Sequence, residues 1–299
     1  MSPNWQAPLA LAVTLVATPL LAQGCLRAGF LTDSRVLGER WRKPREQAVP
    51  LIGGVAVLVG LAVGGVSMPW AALLAAFLLG TWDDLRPLSA GIKLVGQVLA
   101  GFLLVRAVGW SGWEVPLGIC GAVVAQNAMN TWDHADGLCA GLMGVALPPV
   151  LAAPFLGFLP WNVLLTRKSG DTGAPGVPWA YLGDAGSHLA GILMIWYEPA
   201  RPLLILPLLD LLRVVWLRVR AGQRFWKGDR RHLGHRLLDA GLRSKEAALL
   251  ALVPCLPLAA TAHLGLEIAA LACLALLAAL VWYTTPACRT NNGQESDEL

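Results

Sequence analysis

Asn127-Ala-Met-Asn-Thr-Trp-Asp-His-Ala-Asp-Gly-Leu138 is a polar stretch set between two apolar runs, 115–125 and 138–147. The runs read as membrane-grade helix, and the stretch as the end of one such helix. Within it, Asn127, Asn130, Asp133 and Asp136 recur at every third position. On a helix that spacing keeps four side chains near one face, drifting slowly around it. Asn and Asp at a helix end can act as caps that merely wet it. Four in register beside an apolar segment are costly without a ligand, and they mark a candidate site.

The rest of the chain has the same character. Of its 299 residues, 56% are apolar and 14% charged, and the mean hydropathy is +0.58. Such a composition excludes an ordinary soluble domain and predicts an all-α, polytopic bundle of about 10–11 transmembrane helices. The net charge of +4 is modest. The basic residues read as topology signals and phosphate partners, and no nucleic-acid partner is expected. Cys25, Cys120, Cys139, Cys255, Cys273 and Cys288 are scattered and form no Cys-x-x-Cys pair. That suggests neither a disulfide framework nor a zinc site.

Apolar segments that cross, or nearly cross, a bilayer are 7–23, 49–66, 68–82, 91–110 and 115–132, then 138–161, 187–197, 203–219, 246–264 and 268–283. The first has no basic residue before it, so it reads as a retained span and not a secretory signal. Segment 138–161 holds Pro148, Pro149, Pro154 and Pro160, which predicts a broken helix or a tight pair of short ones. With the N-terminus outside and the C-terminus cytoplasmic, every Lys and Arg except Arg106 and Arg201 falls in a cytoplasmic stretch or at a helix entry beside one. This is a strong positive-inside bias. Residues 1–283 then form one integral-membrane catalytic domain, and 284–299 a polar tail whose composition predicts disorder.

That topology puts every polar cluster at the cytoplasmic face. Arg42-Lys43-Pro44-Arg45-Glu46 precedes Pro50-Leu51-Ile52-Gly53-Gly54, where open backbone amides at a helix start suit an anion. Asp83-Asp84 precede Lys93, and adjacent carboxylates gain a use beside a divalent cation. Tyr181-Leu182-Gly183-Asp184-Ala185-Gly186-Ser187 places Asp184 in a Gly-rich turn before a helix, and Tyr181 could stack on a base ring. Asp210, inside a span, reads as a packing hydrogen-bonder. His232 and His235, with Arg231 among four neighbouring basic groups, resemble a phosphate clamp. Zinc is disfavoured there for want of a third ligand nearby in sequence. Carboxylates without thiolates favour Mg²⁺ or Mn²⁺. Acidic groups with a metal, ringed by cations, are what phosphoryl transfer needs.

Taken together these motifs resemble the polyprenyl-phosphate N-acetylhexosamine-1-phosphate transferases, of glycosyltransferase family 4 type. The resemblance runs from about Asp33 to Gly241 and keeps the family's order. It rests on Arg-Lys-Pro with Pro-x-x-Gly-Gly (42–54), Asp-Asp with Lys93, and Asn-x-x-Asn-x-x-Asp-x-x-Asp-Gly-Leu (127–138). Further along come Phe-Leu-Pro-Trp-Asn (158–162), Gly-Asp-x-Gly-Ser (183–187), Pro-Leu-x-Asp (207–210) and His-x-x-His-Arg-Leu (232–237). Residues 50–54 look closer to the undecaprenyl-phosphate GlcNAc-1-phosphate branch than to the phospho-MurNAc-pentapeptide branch. The resemblance implies transfer of a sugar 1-phosphate from a UDP-sugar to undecaprenyl phosphate, with release of UMP, for cell-envelope polysaccharide synthesis. It implies an enzyme of the bacterial inner membrane, in contact with membrane lipid and compatible with a homodimer. It implies Mg²⁺, with Mn²⁺ as the substitute, near Asp184 and Asn130. Lys93 would meet the pyrophosphate and Tyr181 the uracil. Asp83 or Asp84 would assist the lipid phosphate, and Asp133, Asp136 and His232 would line the site. Asn127, Arg231 and His235 complete the expected substrate-binding set.

The sequence departs from the family pattern in places. His134 stands where the family usually has Gly, Arg45 where it usually has His, and Gly234 within its His-x-His-His. Residues 164–178 are an insertion relative to the usual short link. Two rival functions follow from these facts. One is a catalytically weak homologue that binds lipid phosphate, and the other is a transporter using intramembrane carboxylates as a proton relay.

Overall fold

The computed structural model describes residues 5–28, 49–169, 174–224, 231–253, 255, 256 and 259. The Arg42–Glu46 cluster, Asp229, Arg230, the segment 268–283 and the tail lie outside the described residues. The helices are α1 (Gln6–Ala28), α2 (Gly53–Gly64), α3 (Trp70–Leu85), α4 (Ala90–Val108), α5 (Glu114–Trp132), α6 (Leu138–Ala146) and α7 (Pro149–Leu159). They continue with α8 (Gly183–Trp196), α9 (Ile205–Arg220), α10 (Leu233–Asp239) and α11 (Ser244–Leu252).

Local chemistry sets most of the boundaries. α3 gives way at Arg86, which is extended as the residue before Pro87. Ser89 caps α4 by accepting from the Ile92 amide, and α4 closes on Gly109 at φ +80°. Pro148 and Pro149 split 138–161 into α6 and α7, so the tight pair of short helices is what forms. A π-helical turn, Pro160–Leu164, follows α7. The inserted residues then form a hairpin of β1 (Thr166–Ser169) and β2 (Ala174–Pro178), antiparallel, with Arg167 opposite Val177. The all-α expectation is corrected at this one hairpin.

α8 is the central helix. It packs on α3, α5 and α2 and is buried along most of its length. The close packing relies on small residues, as in membrane bundles. α1 and α4 are long and apolar enough to cross a bilayer. Leu78, Val95, Leu99 and Leu117 stand exposed on the outside of the bundle. Such surface would be a liability in water and is neutral against lipid. α9 differs from a plain span, because Asp210, Arg213 and Arg218 are all buried on its inner side.

The chain order explains where the polar groups meet. Asp83 and Asp84 end α3, Lys93 lies in the first turn of α4, Asn130 lies near the end of α5, and Asp184 begins α8. Successive helices that reverse direction bring these ends to one end of the bundle.

Candidate active site

Lys93 is the hub of the polar end. Its Nζ donates to Asp83 Oδ2 at 2.5 Å and to Asp184 Oδ2 at 2.7 Å. The other oxygen of Asp184 accepts from Asn130 Nδ2 at 2.7 Å, and Asn130 also reaches Ser187 Oγ at 3.2 Å. The other oxygen of Asp83 accepts from the Leu88 amide at 2.7 Å, which fixes the turn between α3 and α4. The Asp184 side chain remains 30% exposed, so the centre opens outward and is not sealed in the core. Asp84 plays a different part. Its two oxygens accept the amides of Asp184 and Ala185 at 2.9 and 3.1 Å. A carboxylate across the open amides of a helix start is favoured by hydrogen bonding and by the helix dipole. Gly183 makes this possible, since it sits at φ +76° and a Cβ there would lie 2.7 Å from Asp84 Oδ2.

A second layer supports this centre from below. His188 Nδ1 donates to the Asp184 carbonyl at 2.8 Å, and its Nε2 accepts from Gln97 Nε2 at 3.3 Å. Gln97 Oε1 accepts from Asn127 Nδ2 at 2.9 Å. Gln97 and His188 were not picked out from the sequence. The available signal was their place one turn beyond Lys93 and Asp184 in otherwise apolar helices. Asn127 lies a turn deeper than Asn130 and acts through Gln97, with no contact to Asp184.

The opening stretch is only half helical. α5 ends at Trp132, so Asp133 caps its C-terminus and Asp136 lies in the turn beyond. This corrects the reading of four side chains on one helical face. Asp136 Oδ2 accepts from Ser244 Oγ at 3.2 Å, and Asn162 Oδ1 accepts the Gly137 amide at 2.6 Å. Asn162 Nδ2 donates to the Ala180 carbonyl at 3.1 Å, which ties the 133–137 turn to the entry of α8.

Beside that turn sits a histidine cluster. Asp210 is fully buried, and its oxygens accept from His232 Nδ1 at 2.8 Å and the Leu233 amide at 2.9 Å. His134 Nδ1 donates to the Thr131 carbonyl, and its Nε2 accepts from the Gly234 amide at 2.8 Å. The His134 ring lies 5.0 Å from both the His232 and His235 rings. Burial, with His232 adding to it, pushes His134 down to about 3, so it is neutral at physiological pH. The sequence offers no third ligand beside His232, but the fold brings one in from a distance: ligand atoms of His134, Asp210 and His232 lie within 4.8 Å of one another. Those atoms are engaged with protein partners, and the group reads as a hydrogen-bonded network. His232 and His235 are both buried. Arg231 donates to Gln223 Oε1, and its carbonyl accepts from Arg213 at 2.9 Å.

The 50–54 motif meets the 181–187 motif directly. The amides of Gly53 and Gly54 donate to the Tyr181 and Leu182 carbonyls, both at 2.9 Å, and the Tyr181 amide donates to Pro50. The expectation of open amides at this helix start is therefore corrected, since they hold the α8 entry in place. Tyr181 is 6% exposed and packs with Val49, Leu51 and Val177. Little of its ring is left to meet a base.

No family model matches the chain. Among curated proteins, the undecaprenyl-phosphate alpha-N-acetylglucosaminyl 1-phosphate transferase of Yersinia pestis is 26% identical over 268 residues, covering 70% of this chain and 71% of its own. The protein of the same name from Escherichia coli strain K12 is 26% identical over 265 residues, with the same coverage. The decaprenyl-phosphate N-acetylglucosaminephosphotransferase of Mycolicibacterium smegmatis is 28% identical over 313 residues, covering 80% of this chain and 77% of its own. Over most of its length the chain is thus similar to transferases named for moving N-acetylglucosamine 1-phosphate to a polyprenyl phosphate.

Within the site, α3 passes very close to the start of α8. A Cβ on Gly80 would run into the Asp184 carbonyl and the Ala185 amide. Backbone cannot yield as a flexible side chain can. Gly80→Ala is therefore expected to destabilise the fold by about 1–3 kcal/mol. Because the displaced atoms belong to Asp184, it is also expected to lower turnover about a hundredfold. Thermal unfolding in detergent and an activity assay check both effects, and unchanged values in both would refute the close crossing.

Proposed function

We propose that the chain transfers an N-acetylhexosamine 1-phosphate from a UDP-sugar to undecaprenyl phosphate, releasing UMP and forming a lipid-linked diphosphate sugar. The observation that carries this reading is the Lys93 ammonium held between Asp83 and Asp184 at the mouth of an apolar bundle, with Asn130 on the second Asp184 oxygen. The names of the homologues support it. The reaction forms a bond from a lipid-phosphate oxygen to the β-phosphorus and breaks the bond from that phosphorus to the bridging oxygen, which leaves with UMP.

The residues fit a hard divalent ion. Asp184 and Asn130 set a carboxylate and an amide side by side, and two carboxylates, Asp83 and Asp184, share one ammonium. Oxygen donors without thiolate suit Mg²⁺ or Mn²⁺. When bound, the ion offsets diphosphate charge. The chain does the rest by positioning. Lys93 presents a fixed cation to the diphosphate, and Asp84 locks the turn from which Asp184 projects. Asp83, bonded to Lys93, is the carboxylate this reading assigns to assisting the lipid phosphate. The reading also assigns Asp133, Asp136 and His232 to the lining of the site, with the 133–137 turn tied to the α8 entry through Asn162.

In the same reading, residues 1–283 are one catalytic domain of the bacterial inner membrane, with the site on the cytoplasmic face. A proton-relay transporter would want its carboxylates strung along a path through the bundle. Here Asp83, Asp84 and Asp184 meet at helix ends. The test uses purified protein with undecaprenyl phosphate, Mg²⁺ and a panel of UDP-sugars. UMP release with an N-acetylhexosamine donor is expected, stopped by EDTA and restored by Mg²⁺ or Mn²⁺. No UMP from any donor would overturn the proposal.

A further inference from the structure

Gly234 lies in α10 with ordinary helical backbone, since it is absent from the glycines at positive φ. Its glycine is therefore not required by conformation, and glycine inside a helix weakens it. Space is the reason for it. A Cβ at 234 would sit 2.6 Å from His134 Nε2, 2.7 Å from Ala135 Cβ and 2.9 Å from Leu138 Cδ1. The imidazole of residue 134 fills the place that a side chain at 234 would occupy. Positions 134 and 234 are also two of the places where the sequence departs from the family pattern, and the structure puts them in contact.

The contact has a consequence for α10. Its first amides are taken by two groups from other elements, Leu233 N by Asp210 and Gly234 N by His134. His134 is held in turn through the Thr131 carbonyl at the end of α5. Its ring lies 5.0 Å from those of both His232 and His235. The groups facing it are thus His232, His235 and Asp210, with Arg218 3.5 Å from His232 Nε2.

We propose that His134 is a positioning residue, an imidazole supplied from the turn after α5 in the space left by Gly234, which sets the His232–His235 pair for the transfer reaction. The proposal rests on the function proposed above, so its test carries a readout that does not need activity. Five proteins are compared in detergent: the parent, His134→Gly, Gly234→His, the double variant carrying both, and His134→Gln. Thermal midpoint is measured for each, together with kcat and KM for UDP-GlcNAc well below the lowest midpoint.

Each of the two exchanged singles is expected to lose about ten- to a hundredfold in kcat, His134→Gly by removing a supporting hydrogen-bond partner and Gly234→His by crowding the ring that fills its place. KM is expected to stay within about threefold, because the changed group holds a neighbour and does not bind substrate. The double variant returns an imidazole to the same space. It is expected to recover kcat to within about fivefold of the parent, and its midpoint to exceed those of both singles. His134→Gln keeps an acceptor for the Gly234 amide and is expected to retain more kcat than His134→Gly. A double variant no better than the worse single in both midpoint and kcat would overturn the spatial exchange. Singles that lose midpoint while keeping full kcat would overturn the positioning role. A parent without UMP release would remove the proposed function, while the midpoints would still decide the exchange.

Discussion

Asp184→Asn is expected to lower kcat/KM for UMP release by about a thousandfold while leaving the protein folded. The carboxylate accepts from two donors, Lys93 Nζ on one oxygen and Asn130 Nδ2 on the other. An amide of the same shape offers one acceptor and one donor. Whichever way it turns, a donor faces a donor, at Lys93 or at Asn130. The negative charge that would hold a divalent ion is lost in the same step. The helix itself should survive, because its first amides are held by Asp84 and not by Asp184. Steady-state kinetics and a thermal midpoint separate the two effects. A variant that keeps more than about a tenth of the parental rate would mean that Asp184 is not at the centre of the chemistry.

Lys93→Met is expected to be as damaging to turnover, about a thousandfold, and to cost stability as well. The ammonium holds Asp83 at 2.5 Å and Asp184 at 2.7 Å, so its removal leaves two carboxylates facing each other without a cation. Removing one partner of a fully buried pair costs about 3–5 kcal/mol. Lys93 is partly exposed, and water would relieve some of that, so a loss near the lower end is expected. Lys93→Arg is the informative companion. It keeps the charge, but its planar fork cannot sit as a point between two oxygens. It should therefore recover much of the midpoint and little of the rate. A Lys93→Met variant with parental kinetics would refute the assignment.

Much of this arrangement was legible in the sequence. Runs of apolar residues broken by short polar stretches gave the helical membrane architecture, and the four prolines of 138–161 gave the split between α6 and α7. Asp83, Lys93, Asn130 and Asp184 stood at the ends of apolar segments, where several polar groups of both signs suggested a shared ligand. The order of the motifs carried the resemblance to a family.

What escaped the sequence depends on contacts between distant segments. Whether α5 ran on through Asp133 and Asp136 could not be read from spacing, because the same residues suit a helix face and a C-terminal turn. The amides of Gly53 and Gly54 looked open until the partner segment, 181–182, was in view. Residues 166–178 carry Pro and Gly and no clean alternation, so the hairpin had no local signature. His134 looked like a plain departure from pattern. Its partner, Gly234, lies a hundred residues away and is informative only through what it lacks.

The most direct measurement follows the phosphorus. With UDP-GlcNAc labelled by ³²P in the β-phosphate and undecaprenyl phosphate as acceptor, the label should pass into the organic phase, with one UMP released for each label transferred. Asp184→Asn should abolish both. Label that stays in the aqueous phase as UDP while the lipid gains sugar, or no transfer from any labelled donor, would contradict sugar 1-phosphate transfer at this site.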